Sequence, residues 1–342
     1  MAAGEPTLIL AEGFSRDTHY GKTMRGILRY RREDVVAILD STRSGEEEGG
    51  VPIVGDVAAA LALGPKVALV GVATQGGRFP PAWRDLLAEC IRHGLAIENG
   101  LHEMLDDDPE LRPLADAHDV QLRDLRRPPR GLDCPTGENL AVPSRIVLTV
   151  GSDCAIGKMT VALELDRAAR ERGIASVFVP TGQTGIAIAG WGISVDAVVA
   201  DFLAGAAERL VVEGHRRGGE LLWVEGQGSL LHPAYSGVTL GLYHGSVPHA
   251  LVLCHRAGAT EVEGYPGNPL PPLADLVQLH ERMSLPARRA RVAAIALNTA
   301  GLDAAAADAA VAAATAETGL TAADPVRHGA AELLEAVLAV AG

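Results

Sequence analysis

The chain has 342 residues, 48% of them hydrophobic and 21% charged, enough to bury more than one core. Thirty basic residues stand against 43 acidic ones, and the net charge of −13 excludes a general nucleic-acid-binding face, which needs basic groups to displace counterions. The opening MAAGEPTLILAEGF carries no basic leader, and Cys90, Cys134, Cys154 and Cys254 form no CxxC pair, so reduced thiols in a cytoplasmic protein are expected.

In chain order, TLILAEG (7–13), DVVAILD (34–40), KVALVGVA (66–73), LAIENG (95–100) and VQLRDL (120–125) read as strands. Between them GKTMRGILRYRR (21–32), VAAALALG (57–64) and PAWRDLLAECIRHG (81–94) read as helices, the last with Trp83, Leu86, Leu87 and Ile91 on one face. Alternating strands and helices imply an α/β fold with a mainly parallel sheet. The stretch 126–144, RRPPRGLDCPTGENLAVPS, is rich in proline and glycine and weakly periodic. It divides the chain into a first domain, 1–128, a linker, 129–144, and a second domain, 145–342.

The strand pattern resumes with RIVLTVG (145–151), SVFVPTG (176–182), LLWVEGQG (221–228), HALVLCH (249–255) and RVAAIALNT (291–299). The clearest helix lies within 195–217, and the alanine-rich 303–317 reads as another. The charge-free run 173–195 is long enough to span a bilayer, but Pro180, Gln183 and its glycines favour a strand followed by a glycine-rich loop, so no membrane span is expected.

Residues 148–165, LTVGSDCAIGKMTVALEL, carry the strongest motif. Gly151, Gly157 and Lys158 are the glycines and lysine of a phosphate-binding loop, set between a strand and a helix. Such a loop wraps an anion with backbone N–H groups, and the helix N-terminus adds positive charge. The expected cradle is Gly151, Ser152, Asp153, Cys154, Ala155, Ile156, Gly157, Lys158, Met159 and Thr160. Met159 stands where a serine or threonine would ligate magnesium. Magnesium, if used, would fall to Asp153 and Glu225. Gly21-Lys22-Thr23 is a decoy: four residues separate the glycines of the motif, and position 16 is Arg16. Gly71-x-Ala73-x-x-Gly76 is a degenerate dinucleotide fingerprint, with Pro80 and Pro81 blocking the helix that should follow.

Ligands of parallel sheets bind at the carboxyl ends of strands. Here those ends carry Thr181, Gln183 and Thr184, then Glu225, Gln227 and Ser229, then His232, and finally Cys254, His255 and Arg256. Glu225 reads as a metal ligand or general base, and His232 as a second base candidate. His232, His244, His249 and His255 match no zinc spacing.

Together the blocks GSDCAIGKMT (151–160), PTGQTGIAIAGWGISVDAVVADF (180–202) and VEGQGSLLHPAYSGVTLGLYHGS (224–246), with GKTMRGILRY (21–30) and GLHEMLDDDPEL (100–111), resemble the bacterial DUF1611 family, which includes D-glutamate N-acetyltransferases. The resemblance covers nearly the whole chain. It implies a Rossmann-like N-terminal domain and a P-loop NTPase-like C-terminal domain similar to dethiobiotin synthetase, whose loop and post-strand glutamate match Gly151–Lys158 and Glu225. It further implies acetyl-CoA as donor and the amino group of an acidic amino acid as acceptor, with Glu225, His232 and Lys158 as catalytic residues. Thr181, Gln183, Thr184, Gln227, Ser229 and Arg256 would then bind substrate. The chain departs from the family pattern at Arg256, Ala259 and Arg25, which bears on the choice of amino acid. Two alternatives stay open: an ATP- and Mg²⁺-dependent carboxylate–amine ligase, and a nucleotide-responsive regulator that binds without turnover. A homo-oligomer is compatible with either enzyme.

Overall fold

The computed structural model describes residues 4–17 and 20–341. The first sheet is built from β1 (Thr7–Leu10), β2 (Val35–Leu39), β3 (Glu47–Glu48), β4 (Val51–Val54), β5 (Val67–Val70), β6 (Ala96–Asn99) and β7 (Leu122–Asp124). Its order is β3-β4-β2-β1-β5-β6-β7, parallel throughout except for the short β3–β4 pair. The helices α1 (Lys22–Tyr30), α2 (Val57–Leu61), α3 (Trp83–Arg92) and α4 (Leu111–Ala117) connect the strands. Side chains alternate across a strand. Leu8 and Leu10 therefore join one core with Trp83, Leu87 and Ile91, while Ile9 joins the opposite core with Met24 and Ile27. This is a Rossmann-like sheet with a core on each face.

The second sheet comprises β8 (Arg145–Gly151), β9 (Ser176–Val179), β10 (Leu221–Val224), β11 (Ala250–Arg256), β12 (Arg291–Asn298) and β13 (Thr321–Ala323). All its pairings are parallel, in the order β13-β12-β11-β8-β10-β9. The helices are α5 (Lys158–Glu171), α6 (Gln183–Ala189), α7 (Ala200–Arg216), α8 (Ser236–Ser246), α9 (Leu273–Arg282), α10 (Ala304–Thr318) and α11 (Ala331–Ala341). The arrangement is P-loop-like: β8 runs into a glycine-containing loop and then α5. Among the described residues no helix is long and apolar enough to cross a membrane.

The chain falls into two compact units, Met1–Pro128 with Gly182–Ser194, and Pro129–Thr181 with Val195–Gly342. Two features differ from the sequence expectation. The proline-rich segment from residue 129 belongs to the second unit: Thr136 and Gly137 donate backbone N–H bonds to Glu208 on α7, and Asn139 bonds Gly245 O at 2.6 Å. The expected glycine-rich loop after β9 is instead the helix α6, closed by Gly190 at φ 75°, and it packs in the first unit. There Thr184 Oγ1 meets Thr23 Oγ1 at 3.0 Å, Ala187 joins the core of Ile9 and Met24, and buried Arg31 reaches Ala187 O at 2.6 Å. Arg31 is itself paired with buried Asp34 at 2.6 Å. Glycine is a poor helix former, so these tertiary contacts stabilise a helix that propensity alone does not favour.

Candidate anion-binding site

The edge of the second sheet is assembled around the β8–α5 loop. Gly157, at φ 111°, occupies backbone space that non-glycine residues avoid and opens the fourteen-residue α5. Ala155 also adopts a positive φ, 52°. Five residues, not four, lie between Gly151 and Gly157, so Ser152 takes the place of the motif's first glycine. Ser152 is fully buried; its Oγ meets His255 Nδ1 at 2.9 Å, and its carbonyl accepts Ser229 Oγ at 2.9 Å. Three strand ends are thereby tied to the loop. A fourth, β12, contributes Asn298, whose Nδ2 donates to Ile156 O at 3.2 Å.

Lys158 begins α5 and is buried, with Nζ donating to Asp153 O at 2.7 Å. Burial pushes its ammonium below the usual range, against the opposing pull of Cys154, Cys254, Asp153 and Glu225. Gly151 leaves room for this geometry, since a Cβ there would lie 2.8 Å from Ile156 Cδ1 and 3.2 Å from Lys158 Nζ. Gly226 is more constrained: a Cβ would sit 1.7 Å from Thr149 O.

Glu225, buried at the end of β10, accepts Thr181 N–H at 2.9 Å through Oε2, while its carbonyl accepts Thr181 Oγ1 at 2.6 Å. Gln227 Nε2 completes the set on Thr181 Oγ1 at 3.2 Å. Asp153 is buried, and its two oxygens accept Cys154 N–H and Glu263 N–H, each at 2.7 Å. His232 is buried between aromatic rings, stacked on Tyr235 at 4.7 Å and edge-on to Tyr265 at 4.9 Å. Its Nδ1 accepts Ala234 N–H at 3.2 Å, which places the proton of the neutral ring on Nε2. In this arrangement His232 presents a donor, and the general-base role expected from sequence would require breaking that bond.

The structure therefore gathers Lys158, Asp153, Cys154, Glu225, Thr181, Gln227, Ser229 and His232 within the second unit. Met159 and Thr160 lie in the first turn of α5, where Met159 offers no hydroxyl. Arg256 ends β11, half-exposed, and pairs with Glu263 at 3.1 Å. Gln183 and Thr184 belong to α6 in the first unit, where Gln183 packs against Gly100 and Thr184 against Thr23. Those two residues were expected to bind substrate; they lie on α6, which belongs to the first unit. His244 and His249 serve the framework: His244 Nε2 meets Met283 O at 2.9 Å, and His249, pushed down to about 4 mainly by burial, accepts Ile146 N–H. Sequence reasoning missed Asn298 and Glu263, whose roles arise from contacts across the chain rather than from any local motif.

Among its described residues the first unit has no equivalent loop. Asp40, buried at the end of β2, accepts Gly13 N–H, Ser15 N–H and Oγ, and Thr42 N–H and Oγ1. Burial pushes its carboxyl up, but these bonds outweigh it and hold the group below the usual range. Gly71 of the degenerate fingerprint is explained by packing, because a Cβ there would lie 2.3 Å from Ile9 Cγ2.

Residues 133–334 match a domain of unknown function described as the DUF1611 P-loop domain, and residues 40–128 match its Rossmann-like N-terminal partner. A protein of Tritonibacter scottomollicae named D-glutamate N-acetyltransferase is 36% identical over 98% of this chain and 99% of its own length. A Pseudoalteromonas protein of the same name is 36% identical over 79% of this chain and 80% of its own. The crystal structure of a DUF1611 protein from Anabaena variabilis superposes with a TM-score of 0.91 at 42% identity, covering 97% of this chain and 99% of the other.

Proposed function

The chain belongs to the DUF1611 family, and from that membership we propose that it transfers an acetyl group from acetyl-CoA to the amino group of D-glutamate or a related acidic amino acid. The observation that carries the proposal is 36% identity, over 98% of this chain, to a protein named D-glutamate N-acetyltransferase. The chemistry of the loop supports it. A buried ammonium, a helix N-terminus and a left-handed glycine suit a diphosphate, and acetyl-CoA has one. Met159 denies the loop its usual magnesium ligand, which a cofactor that is gripped without cleavage of its phosphates does not need.

Acetyl-CoA supplies the reactive thioester, which lies at the opposite end of the pantetheine arm from the diphosphate. One small cluster cannot serve both ends. We therefore assign Lys158 and the loop amides to the diphosphate. Glu225 then balances Lys158 and holds Thr181 in place, rather than acting on the incoming amine.

The test is thermal stabilisation by acetyl-CoA and by ATP–Mg²⁺ side by side, with Lys158→Ala as control, followed by CoA release with D-glutamate. A ligand of the native state raises the melting temperature according to its concentration over Kd. Stabilisation by acetyl-CoA that the variant loses, with CoA release that depends on D-glutamate, is the expected result. No binding of acetyl-CoA, or stabilisation only by ATP with Mg²⁺, would overturn the proposal.

A further inference from the structure

The loops that meet at Asp153 bring three unlike donor atoms together. A carboxylate oxygen of Asp153, the Sγ of Cys154 and a ring nitrogen of His232 all lie within 4.8 Å of one another. We propose that these three side chains hold a thiophilic divalent cation of the zinc class at the rim of the phosphate loop, with its remaining coordination positions open to an oxygen of the bound ligand. This site is separate from the acetyl-transfer proposal and does not depend on it.

The donor set selects the ion. Magnesium takes oxygen ligands, whereas a thiol, an imidazole and a carboxylate suit zinc and its neighbours. Three protein ligands with an open position is also the pattern of zinc sites that act on ligands rather than hold folds together. The loop has lost the hydroxyl that would follow Lys158, so a cation here needs ligands from elsewhere, and these three supply them.

The three are held before any ion arrives. Both Asp153 oxygens are fixed by backbone N–H groups, and His232 is clamped by Tyr235 and Tyr265. Cys154 precedes Ala155, whose φ of 52° fixes the turn that presents the thiol. Cys154 is half-buried, whereas Cys254 is buried and its thiol is pushed up to about 12. Charge also closes. The groups facing Lys158 include Cys154, Asp153 and Glu225; as thiolate and two carboxylates they balance one ammonium and one dication. Ligation by His232 gives up the 3.2 Å bond from Ala234 N–H, a long contact that a metal–nitrogen bond readily replaces.

Cobalt(II) reads this site without any turnover, because a thiolate on tetrahedral cobalt gives a near-ultraviolet charge-transfer band. The reduced full-length chain is titrated with Co²⁺ and then with Zn²⁺. The expected result is a band that saturates at one equivalent and is displaced by Zn²⁺. Cys154→Ser removes it, and His232→Gln and Asp153→Asn each weaken binding roughly tenfold or more. Cys134→Ser, at the exposed cysteine, leaves it intact. A band that survives Cys154→Ser, one lost in Cys134→Ser, or no saturable band at all overturns the proposal. If Cys154→Ser fails to fold, His232→Gln decides: unchanged affinity there is equally fatal.

Discussion

The two parallel sheets end in carboxylates put to opposite uses. Asp40, at the end of β2, accepts from Gly13, Ser15 and Thr42, so its charge is spent on fixing its own neighbourhood. Glu225, at the end of β10, accepts the backbone N–H of Thr181 just after β9 and faces the buried ammonium of Lys158. The same architecture thus yields one edge closed by its own side chains and another with a cation and a helix N-terminus gathered on a loop. A parallel sheet permits a ligand site at its carboxyl edge. Whether one exists depends on what the strand-end charges already hold.

Four substitutions break or sharpen this contrast. The largest effect is expected from Gly226→Ala, whose Cβ would lie 1.7 Å from Thr149 O and 2.9 Å from Lys158 Cδ. Backbone must shift, and a loss of roughly 3 kcal/mol is expected in urea unfolding. Next, for Lys158→Ala, binding of acetyl-CoA should weaken about a hundredfold by calorimetry, and the melting temperature of the free protein should fall, since buried Glu225 and Asp153 lose the ammonium that balances them.

Asp40→Asn should cost about 2 kcal/mol in the first unit and leave ligand binding on the second unit untouched. The folded carboxyl titrates below its ordinary value. Its contribution is therefore complete above about pH 4, the unfolded value, and is lost as pH falls through the lower folded one. Melting curves down to acid should show the wild type converging on the variant. Parallel curves would mean that Asp40 stabilises without its charge. The smallest effect belongs to Arg256→Ala. Its pair with Glu263 is 41% and 56% exposed, so a change below about 0.5 kcal/mol is expected; a large rise in KM for the amino acid alone would instead give Arg256 a substrate role.

Much of this was legible in the sequence because strands in parallel sheets are buried on both faces and read as unbroken apolar runs. RIVLTV, ALVLCH and RVAAIALN announced β8, β11 and β12, and the glycine–lysine pair announced the loop. The helix α6 was not legible: GQTGIAIAG has poor helical propensity, and what stabilises it, Thr23, Arg31 and the core of Ile9, lies more than 150 positions away. Asp40 was hidden for a similar reason, since its work is defined by what Gly13 and Ser15 do in space. The group of Asp153, Cys154 and His232 escaped because zinc patterns are read from short spacings, and here one ligand comes from a loop after a different strand. Ser152 in the first glycine's position was visible in the spacing itself, and its burial against His255 and Ser229 explains why a small polar residue stands there.

The route of the chain through residues 181–195 bears on how the protein is made. Val195 N–H closes on Thr181 O at 2.9 Å, both within the second unit, while the segment between them belongs to the first. The first unit is consequently incomplete when residue 128 leaves the ribosome. Its core waits for Ala187, and buried Arg31 waits for the carbonyl of that same residue. Domains usually fold in order of synthesis. Here the first cannot finish until the second has begun, and cutting the gene at the proline-rich boundary would give an N-terminal piece lacking α6 and a C-terminal piece exposing it.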